Sequence, residues 1–472
     1  MKKLIVVLVA LAVTAASCAR PLAAQGGNVS QNVSPASLAT PTQTSSTPLS
    51  ESLLLVRYDS KTQVNILTAI DPANGYELAG IAPIPFGQSY VYALSPDRKT
   101  LAAVVYPSGD TPHGAHLYLI DLKDWSLREV KLAIDDWVLS MEYAPDGRSF
   151  AITSGPTHNQ LTVVDAARAG VLAQVKMDYY IRSMKFNAEA TALMIYGAPY
   201  DPNSGISSGP VVTLVGAGDL SPLWSTQLSQ VRDGLYPKTD QVNIDVHMPG
   251  QANLFAPGLA FAPDADVLYI ADAEKEQLVS VDFAARSVQA RAVRAERSWL
   301  EQLLALTAGT AHAKGADDNE KSAALSPDGR FLYVTSIHNE SVAKENGEWE
   351  FTQTPLGLQV IRTADAVETG KFETKANAPL VSADGNYVYL DIWDDGKGAP
   401  ATQIFDTRQG KIIASMSGFL LTPTHRLNGE PVLVSGYSSA SGRTQLAVFE
   451  PGSSDPISKW PASDYAAWII IP

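Results

Sequence analysis

Histidines and carboxylates recur in this sequence where short apolar runs give way to polar loops. His113, His116 and His158 stand at such points in the first third of the chain, and His338 with Glu340 at another. Asp272 with Glu274, and Asp391 with Trp393, Asp394 and Asp395, place carboxylates in the same setting. Tyr200, Asp201, Asn339 and Tyr437 complete the set. Imidazoles and carboxylates that a fold draws together can hold a divalent metal or pass a proton. Four of the seven histidines fall in or beside these loops. Polar residues belong in loops on any account, so these positions are expected to bind a ligand, and no one of them is assigned a catalytic role. No cofactor is expected, and a divalent metal is the option left open.

Other chemistry is narrower still. Asp391-Ile-Trp-Asp-Asp-Gly396 lacks the alternating aspartates and closing glutamate of a calcium loop, so it reads as a solvated turn. With one cysteine, Cys18, no intramolecular disulfide and no multi-cysteine zinc site can form. A Gly-x-Ser-x-Gly elbow, a His-Glu-x-x-His helix, a phosphate loop and a dinucleotide fingerprint are all missing from any usable context. A formal net charge of −14 without a basic run excludes a nucleic-acid footprint.

What must position the candidates is a repeat. Ala323-Ala-Leu-Ser-Pro-Asp-Gly-Arg-Phe-Leu-Tyr-Val-Thr-Ser336 reads as strand, tight turn, strand. Copies recur at Ser89 to Tyr106, Met141 to Arg148, Leu259 to Asp264, Leu380 to Gly385 and Leu420 to Gly429. A weaker copy at Met184 to Ala188 has lost its Pro and Gly. Proline presets φ at the second turn position, and Asp or Gly after it tolerates a left-handed backbone. In-phase aspartates at 71, 121, 165, 282 and 406 end the third strands and are expected to cap turns rather than catalyse. A period of about 45 residues with four strands is the sign of an all-β propeller.

The two ends of the chain fit each other. Leu53 to Ile84 supplies second, third and fourth strands without a first, and Tyr465 to Pro472 supplies a first strand alone. A composite blade would close the ring, remove its open edges and make residues 52–472 one domain of eight blades, with seven as the alternative. Two insertions interrupt the period. Residues 232–255 read as a polar loop. Within 295–319, Ala295 to Ala308 has leucines at helical spacing and reads as an amphipathic helix.

Ser326-Pro-Asp-Gly-Arg-Phe-Leu-Tyr-Val-Thr335 resembles the YVTN-type repeat of bacterial secreted propellers, related in shape to WD-repeat proteins. The likeness covers roughly residues 89 to 450. It implies the fold, in a family that holds surface-layer proteins and lactonase-like enzymes alike. In propellers, loops between second and third strands line one mouth of the channel, which is where the residues above fall.

Lys2 and Lys3 followed by an apolar run from Leu4 to Val13 read as a secretory signal, too short to span a bilayer. Ala16-Ser17-Cys18 resembles the lipobox of bacterial lipoproteins, with Ala15 where that family usually has Leu. The resemblance implies cleavage after residue 17 and lipidation of Cys18. Residues 18–51, rich in Ser, Thr, Pro, Ala and Gln, then read as a disordered tether. The expected protein is held in the bacterial cell envelope by its lipid, outside the cytoplasm. It would act as a binding platform for a protein, glycan or small ligand, with a lactonase-like hydrolase or propeller-type oxidoreductase as the alternative.

Overall fold

The computed structural model describes residues 47–472 except 60–63, 87, 107–114, 133, 135–136, 156–157, 200–206, 238–251, 297–318, 344–348, 393–399, 418–419, 436–444, 462–464 and 471–472. The fold is an all-β propeller of antiparallel four-stranded blades. Seven sheets hold four strands each, and a further sheet holds seven. The described residues contain one short 3-10 turn, Leu49–Glu51, and otherwise strands and turns. Two compact units divide the chain: one takes in Ala144–Asp165 and Val171–Val381, the other the remaining described residues.

The sheet made by Tyr180–Phe186, Ala192–Ala198, Val211–Gly216 and Pro222–Gln227 shows why the sequence folds this way. Its second strand, Ala-Leu-Met-Ile-Tyr-Gly-Ala, is buried at every position, and its fourth alternates between exposed and half-buried. Second and third strands are therefore apolar throughout because both of their faces are covered. The core lies between neighbouring sheets. Met194, Tyr196 and Val212 pack with Leu259, Leu268, Ile270, Val279 and Phe283 of the next sheet. Each such side chain contributes about 1.5–3 kcal/mol of burial.

The weakest copy of the repeat forms this complete sheet. Asn187 Oδ1 accepts from Thr191 N and Ala192 N, each at 2.8 Å, and Ala190 takes the left-handed position at φ 57°. In the strong copy, Ser326 Oγ donates to Asp328 Oδ1 at 2.6 Å and accepts from Phe331 N at 2.9 Å, with Gly329 at φ 70°. Asn replaces Ser as the acceptor, so the hairpin survives without Pro or Gly.

In the second unit, Leu53–Asp59, Val64–Ile70 and Ile84–Phe86 are completed by Tyr465–Ile470, with Leu55 opposite Ile470 and Val56 opposite Ile469. The composite blade forms as expected, and its outer strand, Ile84–Phe86, starts where the expected stretch ends. The tether is ordered sooner than composition suggests. Thr47 Oγ1 donates to Asp71 Oδ2 at 2.8 Å, and Leu49 packs on the core. The third-strand aspartates cap turns: Asp71 accepts from Ala73 N, Asp121 from Lys123 N, Asp282 from Ala285 N and Asp406 from Arg408 N.

The seven-stranded sheet departs from the plan. Its blade is Asn319–Leu325, Phe331–Ala343, Trp349–Arg362 and Val367–Phe372. The middle two strands run past the blade as a ribbon, beyond a bulge between Ser336 and Ile337. A hairpin of Gly234–Pro237 and Ala252–Ala256 joins the first strand in parallel, with Phe255 beside Asn319. The short strand Arg294–Ala295 joins the fourth strand on the other side. Two sequence expectations change here. The insertion at 232–255 begins and ends in paired strands rather than loop, because its Asn-Leu-Phe end finds an open first-strand edge and its Leu-Tyr end pairs with that added strand. Ala295 is strand, not the start of a helix, and 297–318 lies outside the described residues.

Candidate ligand-recognition site

The blades turn at one end through tight first-to-second hairpins, Ser-x-Asp in the copies at Ser95, Ser326 and Ser382, and the opposite end carries the second-to-third loops and the links to the next blade. In the first unit, that opposite end gathers an unusual set of side chains. Arg182 comes from a first strand, Tyr196 from the end of a second strand, and Arg232, Asp233 and Tyr236 from the link that leaves Gln227.

The deepest layer is an ion pair. Arg182 Nη1 donates to Asp233 Oδ1, and the two side chains are 6% and 1% exposed. Tyr196 Oη, on a fully buried side chain, donates to Asp233 Oδ2 at 2.8 Å. Asp233 N donates to Tyr236 Oη at 3.3 Å. Burial works against the Arg182 charge, but Asp233 beside it more than restores it and holds the guanidinium pKa above its ordinary value. Burial, with the Asp233 charge added, pushes the Tyr196 phenol well up, so it stays a hydrogen-bond donor. Each group satisfies the other, so this layer pins the link to the blade beneath it.

Arg232 lies above. Its guanidinium sits 5.1 Å from the Tyr236 ring centre and 5.6 Å from that of Phe255, and those rings meet edge-on at 5.8 Å. Glu274 Oε1 pairs with Arg232 Nη1 at 3.3 Å. Gly234 sits at φ 103° with Ser207 Oγ occupying the place a Cβ would take, so only glycine lets the chain turn into the inserted hairpin. Next to Glu274, Asp272 is fully buried, and burial raises its carboxyl pKa. It accepts from Glu274 N at 3.0 Å and from Gln277 Nε2, while Gln277 Nε2 also reaches Gln230 O at 2.9 Å. Lys321, 6% exposed in its side chain, pairs with Glu276 at 3.6 Å.

The inserted hairpin, the first strand and the ribbon form one continuous five-stranded surface. Gly234, Phe255, Asn319, His338 and Thr354 lie in one register row. Since alternate residues share a face, Tyr236, Glu340 and Thr352 belong to the same side as that row.

Asp272 and Glu274 thus stand beside Arg232 and Gln277, and His338 and Glu340 lie on the ribbon of the extended sheet in the same unit. His158 lies in a second-to-third loop there, at φ 51°, with its ring 4.2 Å from that of Tyr180. Burial lowers its pKa to about 4, which keeps the imidazole neutral. The other described candidates are held within their own blades. His116 pairs with Glu129 across two strands of its own blade. Asp391 lies within a strand and accepts from Thr402 Oγ1 at 3.4 Å. His113, Trp393, Asp394 and Cys18 lie outside the described residues. The ribbon also corrects a reading: His338 and Glu340 are strand residues, not loop residues. Among the described residues no group of three or more His, Cys, Asp or Glu is arranged to hold a metal.

Arg182, Tyr196, Arg232, Asp233, Tyr236, Phe255 and Lys321 escaped the sequence reading, which looked for imidazoles and carboxylates. The signal that could have found several was the broken period itself, where Arg232-Asp-Gly234 opens the insertion.

No protein-family model matches this sequence, and no curated protein matches it. Among solved structures the fold is similar to dihydro-heme d1 dehydrogenase NirN in complex with DHE. That likeness has 12% identity and a TM-score of 0.53, over 91% of this chain and 77% of that one. Hydrazine synthase of Kuenenia stuttgartiensis is also similar, with 13% identity and a TM-score of 0.42, over 77% of this chain and 96% of that one. At such identity the first likeness speaks for the fold alone.

Proposed function

We propose that this is a lipid-anchored binding platform of the bacterial cell envelope, working outside the cytoplasm, with its recognition surface on the five-stranded face that carries Arg232. The observation that carries the reading is the asymmetry of the extended sheet. Seven sheets stop at four strands, whereas this one gains a hairpin on one edge and a ribbon beyond its end. Additions on a rigid scaffold, at the end opposite the turn hairpins, are how propellers and similar folds acquire binding surfaces. The repeat is of the YVTN type, as the Ser326 to Thr335 stretch suggests.

Localisation rests on Lys2, Lys3, the apolar run and Cys18. Cys18→Ala is expected to move the protein from membrane to soluble fraction, and an unchanged membrane fraction overturns the anchor. An enzymatic reading gains nothing from the deep layer, since Arg182, Asp233 and Tyr196 satisfy one another and none is held ready to exchange a proton.

The platform is tested by replacing residues 338–354 with a two-residue turn, which shortens the ribbon to the blade. Wild type and variant are compared on a glycan microarray and a peptide display library. A ligand kept by the wild type and lost by the variant supports the surface; equal retention places binding elsewhere.

A further inference from the structure

We infer that the Arg232 guanidinium and the strand face beside it bind an acidic oligosaccharide, a sugar carboxylate taking the place that Glu274 now occupies. The inference rests on the platform reading and names its ligand class.

Arg232 is held in readiness. Its side chain remains 44% exposed while the Tyr236 and Phe255 rings lie within about 6 Å of the guanidinium and limit its freedom. Its neighbour Asp233 is locked into the buried ion pair, and Gly234 is wedged against Ser207. A guanidinium ordered before binding loses little freedom on meeting a carboxylate, and its fork suits two parallel hydrogen bonds. Glu274 at 3.3 Å already shows that a carboxylate fits there. It is a carboxylate that a ligand can displace, because Lys275 stands 3.8 Å from its other oxygen and can keep it paired.

The adjoining face selects a sugar. From Phe255 to His338 is two strand spacings, about 10 Å, the span of a disaccharide. Glu340, Thr352 and Thr354 are exposed, so carboxylate and hydroxyl groups face solvent where sugar hydroxyls would lie. Of the exposed large apolar residues described, only Leu356 belongs to the ribbon strands, and a single leucine falls short of the buried aromatic anchor that a protein partner favours. A net charge of −14 holds polyanions off at long range, so the site suits a short acidic oligosaccharide rather than a heavily charged polymer.

Titration calorimetry of the full chain with trigalacturonate and its methyl ester tests this. The acid is expected to bind saturably and the ester about ten-fold more weakly or not at all. Arg232→Met should lose about ten-fold or more, and Arg232→Lys, which keeps the charge without the fork, several-fold. Glu274→Gln should tighten binding about three- to ten-fold by freeing the guanidinium, an effect that a purely structural pair would not give. Equal binding of acid and ester, an unaffected Arg232→Met, or weaker binding by Glu274→Gln overturns the inference. If trigalacturonate does not bind while a neutral glycan or peptide is retained and then lost on shortening the ribbon, the acidic class falls and the platform stands. If shortening the ribbon changes the binding of no probe, the platform falls with it.

Discussion

The sheet built on Tyr387–Ile392 and the one built on Phe331–Ala343 begin alike and end differently. Both start from a serine that donates to an aspartate at 2.6 Å, Ser382 to Asp384 and Ser326 to Asp328, with a glycine at φ 70° after it. Yet one second strand is six residues long and the other thirteen. The turn end of a blade is fixed by hydrogen bonds that each copy must make. The other end answers to no such constraint, and there the chain can add a ribbon, a hairpin and the charged layers beneath Arg232. The comparison predicts that substitutions at the elaborated end of the extended sheet differ in kind from those at the turns.

The largest effect should come from Asp233→Asn. It leaves the Arg182 guanidinium buried without its counter-charge, which costs about 3–5 kcal/mol. Asp97→Asn removes an aspartate whose partner Lys99 is 73% exposed and is expected to cost under about 1 kcal/mol through that pair. Denaturant midpoints of the two variants read the difference directly. Equal losses would mean that the deep pair is no more a structural pin than a surface one.

Gly234→Ala comes next. It forces a left-handed φ on alanine and drives its Cβ into Ser207, for about 1–3 kcal/mol. Gly329→Ala meets nothing within 4 Å and carries only the left-handed strain, about 1–2 kcal/mol. Pairing Gly234→Ala with Ser207→Gly should recover part of the first loss in thermal melts. No recovery would show that the crowding is not what holds glycine there.

The same contrast explains what the sequence made legible. The turn chemistry is local: Ser, Pro, Asp and Gly within five residues dictate a hairpin, so the propeller and its composite blade could be read from letters alone. Even Asn187 obeys that local logic, though its copy looked degenerate. The elaborated end depends on pairing across long separations. Nothing near His338 announces that its strand continues, because the partner strand begins at Trp349 and the first-strand edge is covered from Phe255. Arg182 and Asp233 are 51 residues apart, and only the folded blades bring them together. That His158, Asp272 and Glu274 lie in loops was legible, because the repeat fixes where those loops fall.

At the turn end the expected effects are smaller and alike. Ser326→Ala and Ser382→Ala each remove a hydrogen bond to a half-buried turn and should cost about 1 kcal/mol apiece. Lying in different sheets, the two losses should add, within about 0.5 kcal/mol, in a double variant. A markedly larger cost in the extended sheet would show that its hairpin bears some of the ribbon's load.

A last contrast separates the two ends by acid. Serine hydrogen bonds lower the carboxyl pKa of Asp97 and Asp328 at the turns, so their contribution is complete above the ordinary carboxylate value of about 4 and fades as the pH falls through their lower folded values. At the other end, burial lowers His158 to about 4 from 6.5. The unfolded chain therefore takes up this proton first, and the His158 contribution is complete above pH 6.5 and declines between 6.5 and about 4. His158→Asn, which tolerates φ 51°, should lose less of its melting temperature between about pH 7 and about 4.5 than the wild type, while behaving like it below about pH 4. Imidazole proton resonances give the same reading without a variant: the His158 ring should not titrate until near pH 4. A ring titrating near 6.5 would mean that it is not sequestered against Tyr180, and that this end of the unit is more open to water than its packing indicates.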